Sequence, residues 1–147
     1  MLTHIRKAPF ITGLITLFSS NAWAQNSALK FSPEMVSPNV SSIISPSFGL
    51  PTAENKGWNS NSYFVVTEQG VLVFDTGSSE AIGNSIKAAI KTVTNQPIRW
   101  IVNSHSHADH WLGNAGIADD NTEIIAKKQA ANTMNNYGKD DVKAFAR

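Results

Sequence analysis

Apolar positions along the chain fall into short runs whose period changes from place to place, and the changes predict the elements. Tyr63-Phe64-Val65-Val66 and Val71-Leu72-Val73-Phe74 are β-branched and aromatic, the residue types that suit a pleated, half-buried surface. Thr67-Glu68-Gln69-Gly70 between them is polar and ends in glycine, so the pair predicts a β-hairpin. Asp75-Thr76-Gly77-Ser78-Ser79 then breaks the strand. Ser78 or Ser79 can cap a helix in which Ile82, Ile86, Ala89, Ile90 and Val93 return every three or four residues and form one apolar face. That helix should end near Asn95, because Pro97 disfavours helical geometry in the residue before it. Residues 98–102 are apolar enough for a strand in a sheet interior. Beyond them the pattern predicts a short helical turn over 111–118, a strand over 123–126 and a helix over 127–136. Alternating strands and helices place the chain in the α/β class.

The first 57 residues read differently. Residues 25–57 are rich in Ser, Pro and Asn, and Pro33, Pro38, Pro46 and Pro51 interrupt each short apolar stretch. They predict an extended, loop-like arm that adds at most an edge strand, with order beginning near Asn61. Residues 1–24 open with His4, Arg6 and Lys7, continue through a mostly apolar stretch, and end in the small-x-small pattern Ala22-Trp23-Ala24. This is the layout of a secretory signal cleaved after Ala24. Its apolar run is about 11 residues, against roughly 20 needed to cross a bilayer. The expectations are therefore an exported protein, periplasmic or secreted, with no membrane anchor after cleavage, an arm over 25–57 and a domain over 58–147.

Charge narrows the partners. The chain carries 12 Lys and Arg against 11 Asp and Glu, and loss of Arg6 and Lys7 with the signal leaves it nearly neutral. Without a basic stripe it lacks the electrostatic footprint of a nucleic-acid binder, so a small-molecule substrate is the expected partner. No cysteine is present. Any metal site must then be built from histidine and carboxylate ligands.

Such ligands are concentrated in His105-Ser106-His107-Ala108-Asp109-His110, which holds three of the chain's 4 histidines. On a tight loop His105 and His107 can turn toward one point, and Asp109 and His110 toward a neighbouring point about 3.5 to 4 Å away. Nitrogen and carboxylate donors without thiolate suit Zn²⁺, with manganese or iron less well matched. Zinc lowers the pKa of a bound water from about 15.7 to about 7, and the hydroxide so formed attacks carbonyl or phosphoryl centres. Hydrolysis is the chemistry this arrangement supports. Asp75 and His105 both follow predicted strands, at the strand ends where open α/β folds bind their ligands. Asp75 could equally be a turn residue that ends its strand. Trp111 could wall a site or simply pack.

The motif, with Trp111-Leu112-Gly113-Asn114 after it and Asp75-Thr76-Gly77 upstream, resembles the signature of the metallo-beta-lactamase fold. The resemblance covers residues 59–134. It implies the N-terminal half of an αββα sandwich, a mixed β-sheet with flanking helices, truncated here. It also implies that His105 and His107 bind a first zinc and that Asp109 and His110 bind a second. Asp109 would further orient the attacking water, the catalytic role, and Asp75 would support the loop from behind the ligands. Members of the family complete their two sites with two later histidines and a bridging aspartate, yet no histidine follows His110. Asp119, Asp120, Asp140 and Asp141 match no family motif and read as solvated carboxylates. Half a fold also leaves an apolar sheet face and an edge uncovered. The function implied is a zinc-dependent hydrolase of ester, thioester or lactam bonds. The alternatives are a noncatalytic metal-binding or interaction protein, and an inactive truncation product.

Overall fold

The computed structural model describes residues 29–46, 52, 55 and 57–145. The expected signal segment 1–24 lies outside them. Six strands, β1 (Glu34–Ser37), β2 (Val40–Ile43), β3 (Ser62–Thr67), β4 (Gly70–Phe74), β5 (Ile98–Asn103) and β6 (Glu123–Ala126), form one sheet in chain order. The pairs β1–β2, β2–β3 and β3–β4 are antiparallel, whereas β4, β5 and β6 run parallel to one another. Parallel neighbours need crossovers. Helix α1 (Glu80–Val93) joins β4 to β5, the short helices α2 (Ala108–Trp111) and α3 (Asn114–Ile117) join β5 to β6, and α4 (Lys128–Phe145) follows β6.

The expected loop-like arm is corrected by the hairpin of β1 and β2. Ordered pairing begins at Glu34, well before Asn61, and β2 lies between β1 and β3 rather than at an edge. The prolines bracket these strands instead of breaking them. Pro33 precedes β1, Pro46 follows β2, and Pro38 stands in the turn beside Asn39, whose φ is +64°. Proline followed by an asparagine in the left-handed region is turn chemistry, so the residues that argued against strands mark their ends.

Helix α1 starts where Ser79 accepts a hydrogen bond from Ile82 N at 3.3 Å, with Glu80 in the first turn and Lys91 in the last, charges that suit the helix dipole. It stops at Thr94, three residues before Pro97. Its buried stripe, Ile82, Ile86, Ala89 and Ile90, packs against Phe64, Val73 and Ile101, with Phe31, Ile43, Val71 and Ile117 completing the core. Each fully buried isoleucine contributes on the order of 1.5–3 kcal/mol.

Because strand side chains alternate, the opposite sheet face carries the other set. Ser42, Tyr63, Phe74, Val102 and Ile125 align across five strands, and beside them Val40, Val65, Leu72, Trp100 and Glu123 form a second row. Tyr63 is 37%, Phe74 38% and Ile125 41% exposed. The expected uncovered apolar face is thus present, opposite α1.

Candidate metal centre

Asp75 leaves β4 with a φ of +57°, a left-handed conformation that Asp tolerates better than most residues. Its N–H still continues the sheet, donating to Val102 O at 3.0 Å, while the turn carries its carboxylate beneath the loop that follows β5. There it is 3% exposed and accepts three hydrogen bonds: Ser104 N to Oδ1 at 2.8 Å, Ser104 Oγ to Oδ2 at 2.7 Å, and His110 Nδ1 to Oδ2 at 2.8 Å. Burial pushes the Asp75 carboxyl up, but the bonds from His110 and Ser104 outweigh it and leave the pKa below the usual 3.8.

An ionised Asp75 dictates the tautomers of two histidines. His110 must carry its proton on Nδ1 to donate to the carboxylate, so in the neutral ring the lone pair is on Nε2. Ser104 has one hydroxyl proton and gives it to Asp75. It therefore meets His105 Nδ1, 2.8 Å away, as an acceptor, and the lone pair of His105 also falls on Nε2. That Nε2 lies 3.1 Å from His107 Nδ1, and His110 Nε2 lies 3.7 Å from Asp109 Oδ2. The five residues the sequence singled out thus form one cluster with two donor pairs.

The backbone under the pairs is fixed from both sides. Thr76 N and Asn103 Nδ2 donate to His110 O at 2.9 and 3.2 Å. Asn103 and Asn114 exchange amide hydrogen bonds, and Thr76 Oγ1 donates to Asn114 Oδ1 at 2.8 Å. Gly113 N donates to Gly77 O at 3.0 Å, an approach so close that a Cβ on Gly113 would overlap Thr76 O. On the other flank, Ser60 Oγ donates to Asp109 O at 2.5 Å and Asn59 Nδ2 to Asp109 Oδ2 at 3.2 Å. Asn59, Ser60, Asn103 and Ser104 were missed as parts of the site, because polar residues at or beside strand ends look like ordinary turn residues. Trp111 ties the loop together: its indole N–H donates to Ser106 O at 3.2 Å, and its ring fills the space over Gly138 of α4.

The hydrogen bond to Asp75 raises the pKa of His110 above the usual 6.5, against an opposing effect of burial. Burial, together with His110 and His107 close by, lowers that of His105. A cation binding at His110 Nε2 would have to compete with the proton there.

A family profile described as the Metallo-beta-lactamase superfamily matches residues 55–142, more than half of the chain. The chain belongs to this superfamily. Solved metallo-beta-lactamases share its fold. The mono-zinc form of FIM-1 from Pseudomonas aeruginosa superposes with a TM-score of 0.60 at 18% identity, over 75% of this chain and 47% of that one. A metallo-beta-lactamase from Pontibacter korlensis gives 0.61 at 20%, over 74% and 49%, and a motif mutant of the Cronobacter sakazakii enzyme 0.56 at 28%, over 73% and 38%. The chain therefore spans about half the length or less of these structures. No curated protein matches it.

The donor chemistry of the cluster fits zinc in kind. Two ligands held about 2.0–2.1 Å from a tetrahedral ion stand roughly 3.3 Å apart, close to the 3.1 Å between His105 Nε2 and His107 Nδ1. The Asp109–His110 pair is somewhat wider. In number the fit is incomplete: among the described residues, no group of three or more His, Cys, Asp or Glu is arranged to hold a metal ion. Each pair supplies two of the three protein ligands usual in catalytic zinc sites. Asp119, Asp120 and Asp140 are exposed.

Proposed function

We propose that the chain is the ligand-loop half of an exported zinc-dependent hydrolase acting on an ester, thioester or lactam bond. The observation that carries this reading is that one buried carboxylate, Asp75, sets the lone pairs of both His105 and His110 toward the donor pairs. A solvated turn rich in histidine has no need of a buried carboxylate that fixes two tautomers. In this reading His105 Nε2 and His107 Nδ1 hold one zinc and Asp109 with His110 Nε2 a second, two per complete domain. When bound, zinc supplies Lewis acidity and brings the pKa of water to about 7. Asp109 orients the attacking water, and Asp75 keeps His110 and His105 in the ligating tautomer.

The remaining ligands are proposed to come from a complementary half that covers the Tyr63, Phe74, Val102 and Ile125 face. The signal-like segment 1–24 supports export to the periplasm or beyond. Among the described residues no helix is long and apolar enough to cross a membrane. A noncatalytic metal-binding role is the second reading, favoured by the lack of a three-ligand set among the described residues.

Intact mass, zinc content and hydrolysis of an ester, thioester and lactam panel, measured on protein from the native source, test the proposal. About two zincs with turnover is the expected result. Zinc without turnover selects the noncatalytic reading, and neither zinc nor turnover sinks both.

A further inference from the structure

Asn59 lies on the approach to β3, 50 residues before Asp109 and outside the ligand motif. Its Nδ2 donates to Asp109 Oδ2 at 3.2 Å, while the next residue, Ser60, donates through Oγ to the backbone oxygen of Asp109. One short segment thus grips Asp109 by side chain and main chain together. The amide can face only one way, since turning it over would press Asn59 Oδ1 against a carboxylate oxygen. In the orientation adopted, Oδ1 is buried and has no hydrogen-bond partner. An unmatched buried acceptor is destabilising, a cost that an apolar side chain of similar size would avoid. The offsetting gain lies in what Nδ2 does. The oxygen it binds, Oδ2, is also the one 3.7 Å from His110 Nε2.

We propose that Asn59 is a positioning residue: its amide turns Asp109 Oδ2 toward His110 Nε2 and so sets the second donor pair. The consequence for zinc rests on the function proposed above, whereas the orientation belongs to the metal-free chain. Ser60 fixes where the Asp109 backbone lies, and Asn59 fixes which carboxylate oxygen faces the histidine.

Two measurements on the full chain separate these levels. In the metal-free protein, the side-chain NH₂ signals of Asn59 in a ¹⁵N–¹H spectrum should move in Asp109→Ala and stay in place in His107→Ala. Signals indifferent to Asp109→Ala overturn the proposal, whatever zinc does. In a competition titration of Zn²⁺ against a chromophoric chelator, Asn59→Asp and Asn59→Leu should each weaken zinc uptake about 10-fold or more. Asn59→Asp loses the donor but adds a charge, whereas Asn59→Leu loses the donor without adding one, so a packing role leaves zinc affinity unchanged in Asn59→Leu and the positioning role does not. Asn59→Leu also removes the unmatched acceptor, so its melting temperature should hold or rise, which separates lost affinity from unfolding. Wild-type zinc affinity in a folded Asn59→Leu overturns the proposal. If the wild-type chain takes up no Zn²⁺, the zinc reading fails, and the amide signals alone decide whether Asn59 orients Asp109.

Discussion

Asp75→Asn is the substitution that asks most of the site. Asparagine has nearly the same shape and tolerates the left-handed φ of +57°, so the backbone can stay where it is. Ser104 N keeps its acceptor, because the amide oxygen can take the place of Oδ1. At Oδ2 an NH₂ group now faces Ser104 Oγ and His110 Nδ1, two groups that both donated to the carboxylate. The hydroxyl can rotate and accept. His110 must instead move its proton from Nδ1 to Nε2 and accept through Nδ1. All three hydrogen bonds to the carboxylate become neutral and two of them reverse direction, a loss of about 2–3 kcal/mol. The displaced proton then occupies the atom assigned to zinc, which lowers zinc affinity about 10- to 100-fold. Urea unfolding of the metal-free chain above the His110 pKa measures the first effect, and the ¹⁵N shifts of the His110 ring at the same pH identify the protonated nitrogen. A stability change below about 0.5 kcal/mol, with His110 still protonated on Nδ1, would refute the reasoning.

Three further outcomes follow from the same geometry. The folded pKa of His110 is raised above 6.5, so its contribution to stability is full below pH 6.5 and disappears as pH rises through the folded value. That of Asp75 is lowered from 3.8, so its contribution is present above pH 3.8 and disappears as pH falls through the folded value. His105, lowered and less enclosed, opposes His110 weakly. The urea midpoint of the metal-free chain should therefore decline from pH 6.5 upward, and Asp75→Asn should flatten that decline; an equal slope in both proteins contradicts the assignment. Gly113→Ala and Gly83→Ala each press a Cβ into backbone, Thr76 O and Gly113 O respectively, and should destabilise by about 3 kcal/mol; a melting temperature unchanged in either shows that the contact relaxes freely. Replacing exposed Phe74 and Ile125 together by lysine should reduce binding of a hydrophobic dye and raise solubility while the fold persists, and dye binding that stays the same means this face is not the exposed apolar surface.

Most of the parallel half of the sheet was legible in the sequence because its signals are local. The Ile stripe of α1 and the apolar run of β5 each announce an element by period, and Ser79 and Pro97 mark where α1 starts and where it must have ended. The β1–β2 hairpin was not legible. Val40-Ser41-Ser42-Ile43 has small polar residues at buried positions, and Ser41 and Ser42 are buried because β2 acquires neighbours on both sides. That is a tertiary fact with no trace in the local pattern. The site divides in the same way. His105, His107, Asp109 and His110 stand out as chemistry concentrated in six residues. Asn59, Ser60 and Ser104 earn their roles only through contacts that folding creates, two of them across some fifty residues of chain.

Asp75 connects these two levels. The step out of β4 must lift the chain from the sheet into α1, and the left-handed residue that begins the step is the one whose carboxylate reaches the loop after β5. Pairing of β4 with β5 brings Asp75 N to Val102 O and places Ser104 two residues beyond that acceptor, at the carboxylate. Formation of the parallel strand pair and fixation of the histidine tautomers are therefore parts of one event. The histidine loop gains its order from the sheet, so His105 and His110 present their lone pairs in the metal-free chain. A chain whose loop were organised only by metal would leave the ring nitrogens of His110 exchanging tautomers in the metal-free state. Here one tautomer should dominate, and ¹⁵N spectra of the metal-free protein above the His110 pKa would show Nδ1 protonated and Nε2 bare.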